Sequence, residues 1–136
     1  MVVRINTEIE RIGDQAVNNC EYVEMFLSNP PARPLHDLSR MTDIACEMVH
    51  GALAALASED VEMARRVVAL DDQVDALNRQ TFTDLLVDAD NDPEMVKRSM
   101  SLILLARSIE RIADHAENIC EEVVFLVKGE DIRHQP

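Results

Sequence analysis

Aromatic side chains are scarce in this chain: one Tyr, three Phe and no Trp, 3% of 136 residues. Ala, Leu, Val, Met, Glu and Asp dominate instead, a composition that favours helix over sheet. Three glycines and five prolines are too few turn residues for an all-β chain. The three cysteines, Cys20, Cys46 and Cys120, are odd in number and far apart. That excludes a disulfide framework and a cysteine-type zinc site, and a reducing cytoplasm is the expected setting. The longest apolar runs, such as Leu102 to Ala106 and Val123 to Val127, fall far short of the roughly 20 residues that span a bilayer. Met1 to Asn6 lacks the basic head and apolar stretch of a signal peptide. Basic charge is also missing. A formal net charge of −13 argues against a nucleic-acid-binding surface and suits a soluble protein that attracts cations or basic partners.

What is present is a repeat. Ile9 to Val23 aligns with Ile109 to Val123, and ten of the fifteen positions are identical. A repeat of this length signals a duplicated structural unit. Its apolar residues, Ile5, Ile9, Ile12, Ala16, Cys20, Val23 and Leu27, step by three and four and define one helical face. Cys20 and Cys120 hold matching positions on that stripe and read as small buried hydrophobes.

Four helices are predicted. The first ends at the run Asn29-Pro30-Pro31-Ala32-Arg33-Pro34, which cannot continue a helix. The second covers about Leu35 to Ala57, with Leu38, Met41, Ala45, Met48, Ala52 and Leu56 inward. Ser58 would cap a third helix running from about Glu59 to Ala89. Asp92-Pro93 starts a fourth, and Gly129 sits where a left-handed terminating residue belongs. The fold expected is an all-α antiparallel bundle.

Acidic residues follow the core stripe. Glu10, Asp14, Asn18 and Glu21 trace one line along the first helix, and Glu110, Asp114, Asn118 and Glu121 trace the same line along the last. Asp71 and Asp75 repeat the spacing of four on the third helix. Like charges one turn apart destabilise an isolated helix by tenths of a kcal/mol. A bound cation offsets that, and facing carboxylates can bridge metal ions. Oxygen ligands alone permit Mg²⁺, Ca²⁺, Mn²⁺ or iron. A solvated acidic face with local Arg pairs is the plainer alternative. His115, beside Asp114, reads as a hydrogen-bonded structural residue, a ligand or a phosphoryl acceptor. Glu47-x-x-His50 is a single copy of a motif that a di-iron bundle needs twice.

The segment Ala106-Arg107-Ser108-Ile109-Glu110-Arg111-Ile112-Ala113-Asp114-His115-Ala116-Glu117-Asn118-Ile119-Cys120-Glu121 resembles the signature helix of the PhoU family, accessory and regulatory proteins of bacterial phosphate-specific transport. Glu10-Arg11-Ile12-Gly13-Asp14 is similar to the same signature in the family's other repeat, and Asp71-Asp72-Gln73-Val74-Asp75-Ala76-Leu77 to its acidic second-helix motif. The resemblance implies two three-helix repeats related by a pseudo-twofold. It assigns residues 1–28 to the signature helix of an N-terminal repeat whose first two helices are absent from the chain. Residues 29–34 become a Pro-rich linker, 35–129 a complete three-helix repeat, and 130–136 a flexible tail. It further implies metal, iron or zinc foremost, on Asp71, Asp75, Glu110 and Asp114 as one site and on Glu10 and Asp14 as a second.

The function so implied is non-enzymatic regulation of phosphate uptake and phosphate-starvation signalling. The implied partners are the phosphate transporter's ATPase and a sensor histidine kinase, with the membrane reached only through them. A homodimer is expected to cover the first helix's apolar face. Two other readings compete: a carboxylate-bridged oxidase, which lacks its second Glu-x-x-His, and a histidine phosphotransfer module using His115 or His50. Fold alone does not choose among them.

Overall fold

The computed structural model describes residues 2–29 and 35–133. Among them are five α-helices and no strand: α1 (Val2–Leu27), α2 (His36–Ser58), α3 (Val61–Val68), α4 (Asp71–Asn91) and α5 (Val96–Lys128), with a single 3₁₀ turn at Pro93–Met95 before α5. The chain is an all-α bundle, as its composition and periodicity indicated. None of these helices is long and apolar enough to cross a membrane. Most of the Pro-rich linker, residues 30–34, and the last three residues of the expected tail, 134–136, lie outside the described residues.

Helix α5 is the axis of the bundle, with α2, α3 and α4 packed on one side of it and α1 on the other. The second helix buries the face its sequence announces: Leu38, Met41, Ala45, Met48 and Ala52 are all in the core. Gly51 lets α2 approach α3 closely, because a Cβ there would lie 2.5 Å from Val67 Cγ2.

The expected third helix is two helices. Its start is at Val61 rather than Glu59, and Asp60, not Ser58, is the cap: Asp60 Oδ1 accepts from the Met63 N–H at 2.9 Å. Ser58 instead closes α2, donating to the Ala54 carbonyl at 2.8 Å. The chain leaves α2 through Glu59, a non-glycine residue in the left-handed region with φ 54°. The break between α3 and α4 falls at Ala69 and Leu70, where the Leu70 N–H closes a tight turn onto Val67 O at 3.0 Å. Charge marks this boundary. Arg65 and Arg66 fill the last turn of α3, and Asp71 and Asp72 the first turn of α4, each sign where the helix dipole favours it. Apolar periodicity runs across the break unbroken, which is why it reads as one helix. At the far ends, Asp92 caps the 3₁₀ turn through the Glu94 N–H at 3.0 Å, and Gly129 stops α5 with φ 69°.

Helices α1 and α5 run antiparallel, and their polar contacts obey the internal repeat. Ser108 Oγ donates to Gln15 Oε1 at 2.9 Å, and His115 Nδ1 meets Glu8 Oε2 at 2.7 Å. Position 8 corresponds to 108 and position 15 to 115, so each couple is the other with the two helices exchanged. That is the mark of a twofold axis crossing the α1/α5 contact. Arg4 to Glu122 at 3.2 Å extends the same seam.

The expected inward face of α1 is largely outward. Only Ile5 is buried, and Ile12 is half-buried against the core. Ile9, Ala16, Cys20, Val23 and Leu27 are exposed, because α1 turns Glu8, Gln15 and Tyr22 toward α5 instead. Cys20 is therefore not the buried hydrophobe expected of it, whereas Cys120 is. After α5 the chain folds back. Glu130 meets Arg65 at 2.6 Å and Ile132 packs against the core.

Candidate functional site

Helices α4 and α5 are antiparallel, and the Asn78 amide donating to Glu110 Oε2 at 2.8 Å fixes their register. That register sets Asp71 and Asp75, one turn apart on α4, against Asp114 on α5. One carboxylate oxygen from each of the three lies within 4.8 Å of the others. Glu110 adjoins them, with Asp75 within hydrogen-bonding reach. The four residues expected to form one site are thus brought together.

The sequence comparison missed Glu117. Its counterpart in the first copy is Val17, so aligning the copies hid it, and the expected acidic line ran through Asn118. In the structure Asn118 turns toward α1, donating to Glu8 Oε2 at 3.0 Å. Glu117 takes the place beside Asp114 and Asp71. Its steps of three from Asp114 and four to Glu121 were the available signal.

The carboxylates resist ionisation. Burial, and then the charges of Asp75 and Asp114, push Asp71 up to about 7. Burial followed by Asp71 and Glu121 pushes Glu117 up to about 7 as well. Glu110 is raised, first by burial and then by Asp114, with Arg107 opposing. Asp114 is raised by burial and Asp75, opposed by His115 and Arg111. A cluster that gathers negative charge and half-buries it is one that a cation stabilises. Asp71 also has a fully buried Oδ1 with no hydrogen-bond partner, an acceptor of the kind a metal ion satisfies.

Glu10 and Asp14 have no such setting. Both are exposed, and among the described residues they join no group of three or more potential metal ligands. No helix lies over them as α4 lies over Glu110 and Asp114. His115 is held by Glu8 at the α1 seam, its side chain 15% exposed, which is the structural role foreseen for it. Glu47 and His50 line a separate groove between α2 and α3, and among the described residues they join no group of potential metal ligands.

Comparison with known proteins places this geometry. The PhoU domain family model matches residues 38–123. The chain is similar to the "phosphate-specific transport system accessory protein PhoU homolog" of Aquifex aeolicus, 37% identical over 134 residues that make up 98% of this chain and 61% of that one. It superposes on the crystal structure of PhoU from Pseudomonas aeruginosa with a TM-score of 0.73 at 31% identity, over 93% of this chain and 58% of the other. The fold is also that of the phosphate transport system regulatory protein PhoU from Streptococcus pneumoniae, with a TM-score of 0.83 at 23% identity, over 94% of this chain and 60% of that one. The chain thus spans about three fifths of the length of these proteins. With residues 38–123 matched by the family model, the chain belongs to the PhoU family.

Proposed function

We propose that this chain is a non-enzymatic regulator of phosphate uptake and phosphate-starvation signalling. It acts by binding a transporter ATPase, a sensor histidine kinase or both, and it holds metal on its acidic cluster. The names of the relatives, accessory and regulatory proteins of phosphate transport, support the pathway. The single observation that carries the metal is the convergence of carboxylate oxygens from Asp71, Asp75 and Asp114, and the unpartnered Asp71 Oδ1 supports it. Asp71, Asp75, Glu110 and Asp114 would hold the ion, with Glu117 beside them. When bound, iron or zinc would supply positive charge that neutralises the cluster and locks α4 to α5. Residues 35–129 act as the complete repeat, and 1–28 as the signature helix of the other. Glu10 and Asp14 would bind metal only when a facing helix supplies further acids, and a second copy of the chain covering the outer face of α1 would be one source.

The absence of a second Glu-x-x-His and the placement of Glu47 and His50 outside the three-carboxylate group disfavour an oxidase. The bond from His115 to Glu8 disfavours phosphotransfer through that residue. Elemental analysis of chelator-free protein tests the metal: one or more equivalents of a transition metal are expected, and most of it should be lost in Asp71→Asn/Asp114→Asn. Metal content unchanged by that pair removes the site. Co-purification with the transporter ATPase and the kinase cytoplasmic domain tests the partners, and no association with either overturns the regulatory reading.

A further inference from the structure

The α4/α5 seam changes sign along its length. Asp71, Asp75 and Asp114 occupy one end. From Asp114 and Glu110, which also line it, the seam opens into a groove of about 380 Å³ faced by Arg79 from α4 and by Arg107 and Arg111, one turn apart on α5. Its apolar wall is Phe82 with Ile103, and Phe82 is 47% exposed.

With 26 acidic and 13 basic residues, every guanidinium has an abundance of carboxylates to choose from. Some do pair: Arg4 meets Glu122 at 3.2 Å, Arg65 meets Glu130 at 2.6 Å and Arg133 meets Asp131 at 2.7 Å. Among the described residues Arg79, Arg107 and Arg111, like Arg40, Arg66 and Arg98, form no close ion pair, although Arg107 and Arg111 act at longer range on Glu110 and Asp114. The acceptor nearest to hand, Glu110, has one oxygen committed to Asn78. Three positive side chains facing one groove against two acids leave a local excess of positive charge within a strongly negative protein.

We propose that this groove binds a tetrahedral oxyanion: inorganic phosphate, or the phosphate group of a small organic phosphomonoester. Guanidinium forks bind phosphate oxygens in pairs, and three of them on two facing helices suit a group with several equivalent oxygens better than a lone carboxylate. The groove is larger than a phosphate ion, and Phe82 and Ile103 offer a surface for an organic body. The assignment goes beyond the regulatory reading, and because Glu110 and Asp114 border both sites it is tested on the metal-free chain.

Titration calorimetry at low ionic strength tests it, with chelator-treated full chain and inorganic phosphate or phenyl phosphate as probes. Saturable binding is expected. Arg79→Gln/Arg107→Gln should weaken it by about tenfold or more, while Arg65→Gln, remote from the groove, should leave it unchanged. Circular dichroism confirms that the variants are folded. Tighter binding of phenyl phosphate, with the gain lost in Phe82→Ala, identifies an organic ester; equal affinity identifies the free ion. Absence of saturable binding overturns the proposal. So does binding that needs metal and ignores the arginine variant, since that would put the anion on an ion in the acid cluster.

Discussion

Helices α1 and α5 carry nearly the same fifteen residues and live in opposite surroundings. On α5, Ile109, Ala113, Ala116, Cys120 and Val123 are buried under α2, α3 and α4. On α1 the equivalent Ile9, Gly13, Ala16, Cys20 and Val23 are exposed. The acids follow suit. Glu110 and Asp114 enter a half-buried cluster, whereas Glu10 and Asp14 remain on the surface. The repeated segment therefore does not make a site by itself. It provides half of one, and the helix packed over it provides burial, opposing carboxylates and chemical character together.

The sharpest way to break the comparison is to truncate the same isoleucine in each copy. Ile109→Ala should cost about 2–5 kcal/mol in denaturant unfolding, the range for a large-to-small change in a closed core. Ile9→Ala should cost about 0.5 kcal/mol or less. Equal costs would mean that α1 is covered in solution, and comparison across protein concentrations would tell whether a second copy covers it. Next in size is Gly51→Ala. The new methyl meets Val67 at 2.5 Å, and forcing α2 from α3 should cost about 1–3 kcal/mol; an unchanged melting temperature would show that Val67 yields.

A smaller effect separates the two acid pairs by pH. Asp71 and Glu117 ionise at about 7 in the folded chain, against about 4 in an unfolded one. The folded state therefore retains protons that the unfolded chain has released. These groups favour folding least above pH 7, and their penalty fades as pH falls toward 5. In chelator, melting temperature should rise by a few degrees from pH 8 to pH 5.5. Asp71→Asn should flatten that dependence and Asp14→Asn should not. Added Zn²⁺ or Mn²⁺ should restore stability above pH 7, where the ligands are free of protons. The smallest effect, and the simplest to read, is thiol labelling of the native protein. Cys20 and Cys46 should react and Cys120, buried and pushed up to about 12, should not; protection of Cys20 would reveal a covered α1.

Much of this was written in the chain. Spacing of apolar residues located α2 and α5 and their inner faces, and Asp92-Pro93 and Gly129 marked the ends of α5. Steps of four marked Asp71/Asp75 and Glu110/Asp114 as candidate pairs, and it was the resemblance to the PhoU family that joined them as one site. Two things were not. The break at Ala69–Leu70 was hidden because hydrophobic spacing continues through it, and only the charges of Arg65, Arg66, Asp71 and Asp72 betray it. The exposure of Ile9 and Val23 was hidden because periodicity tells which face is apolar and says nothing of whether a neighbour is there to cover it. Glu117 escaped for a related reason: a residue unique to one copy is invisible to a method that looks for what the copies share.

The couples Ser108–Gln15 and His115–Glu8 give the α1/α5 contact an isologous character, like surface meeting like surface across a twofold within one polypeptide. Its halves are thereby exchangeable. A fourfold variant that places Ser at 8, His at 15, Glu at 108 and Gln at 115 rebuilds both hydrogen-bonded couples on opposite sides of the axis, whereas either half of that exchange alone leaves two mismatched partners facing each other. Such a contact constrains the two helices as a unit: at these positions the chain can drift in pairs across the dyad more readily than one residue at a time.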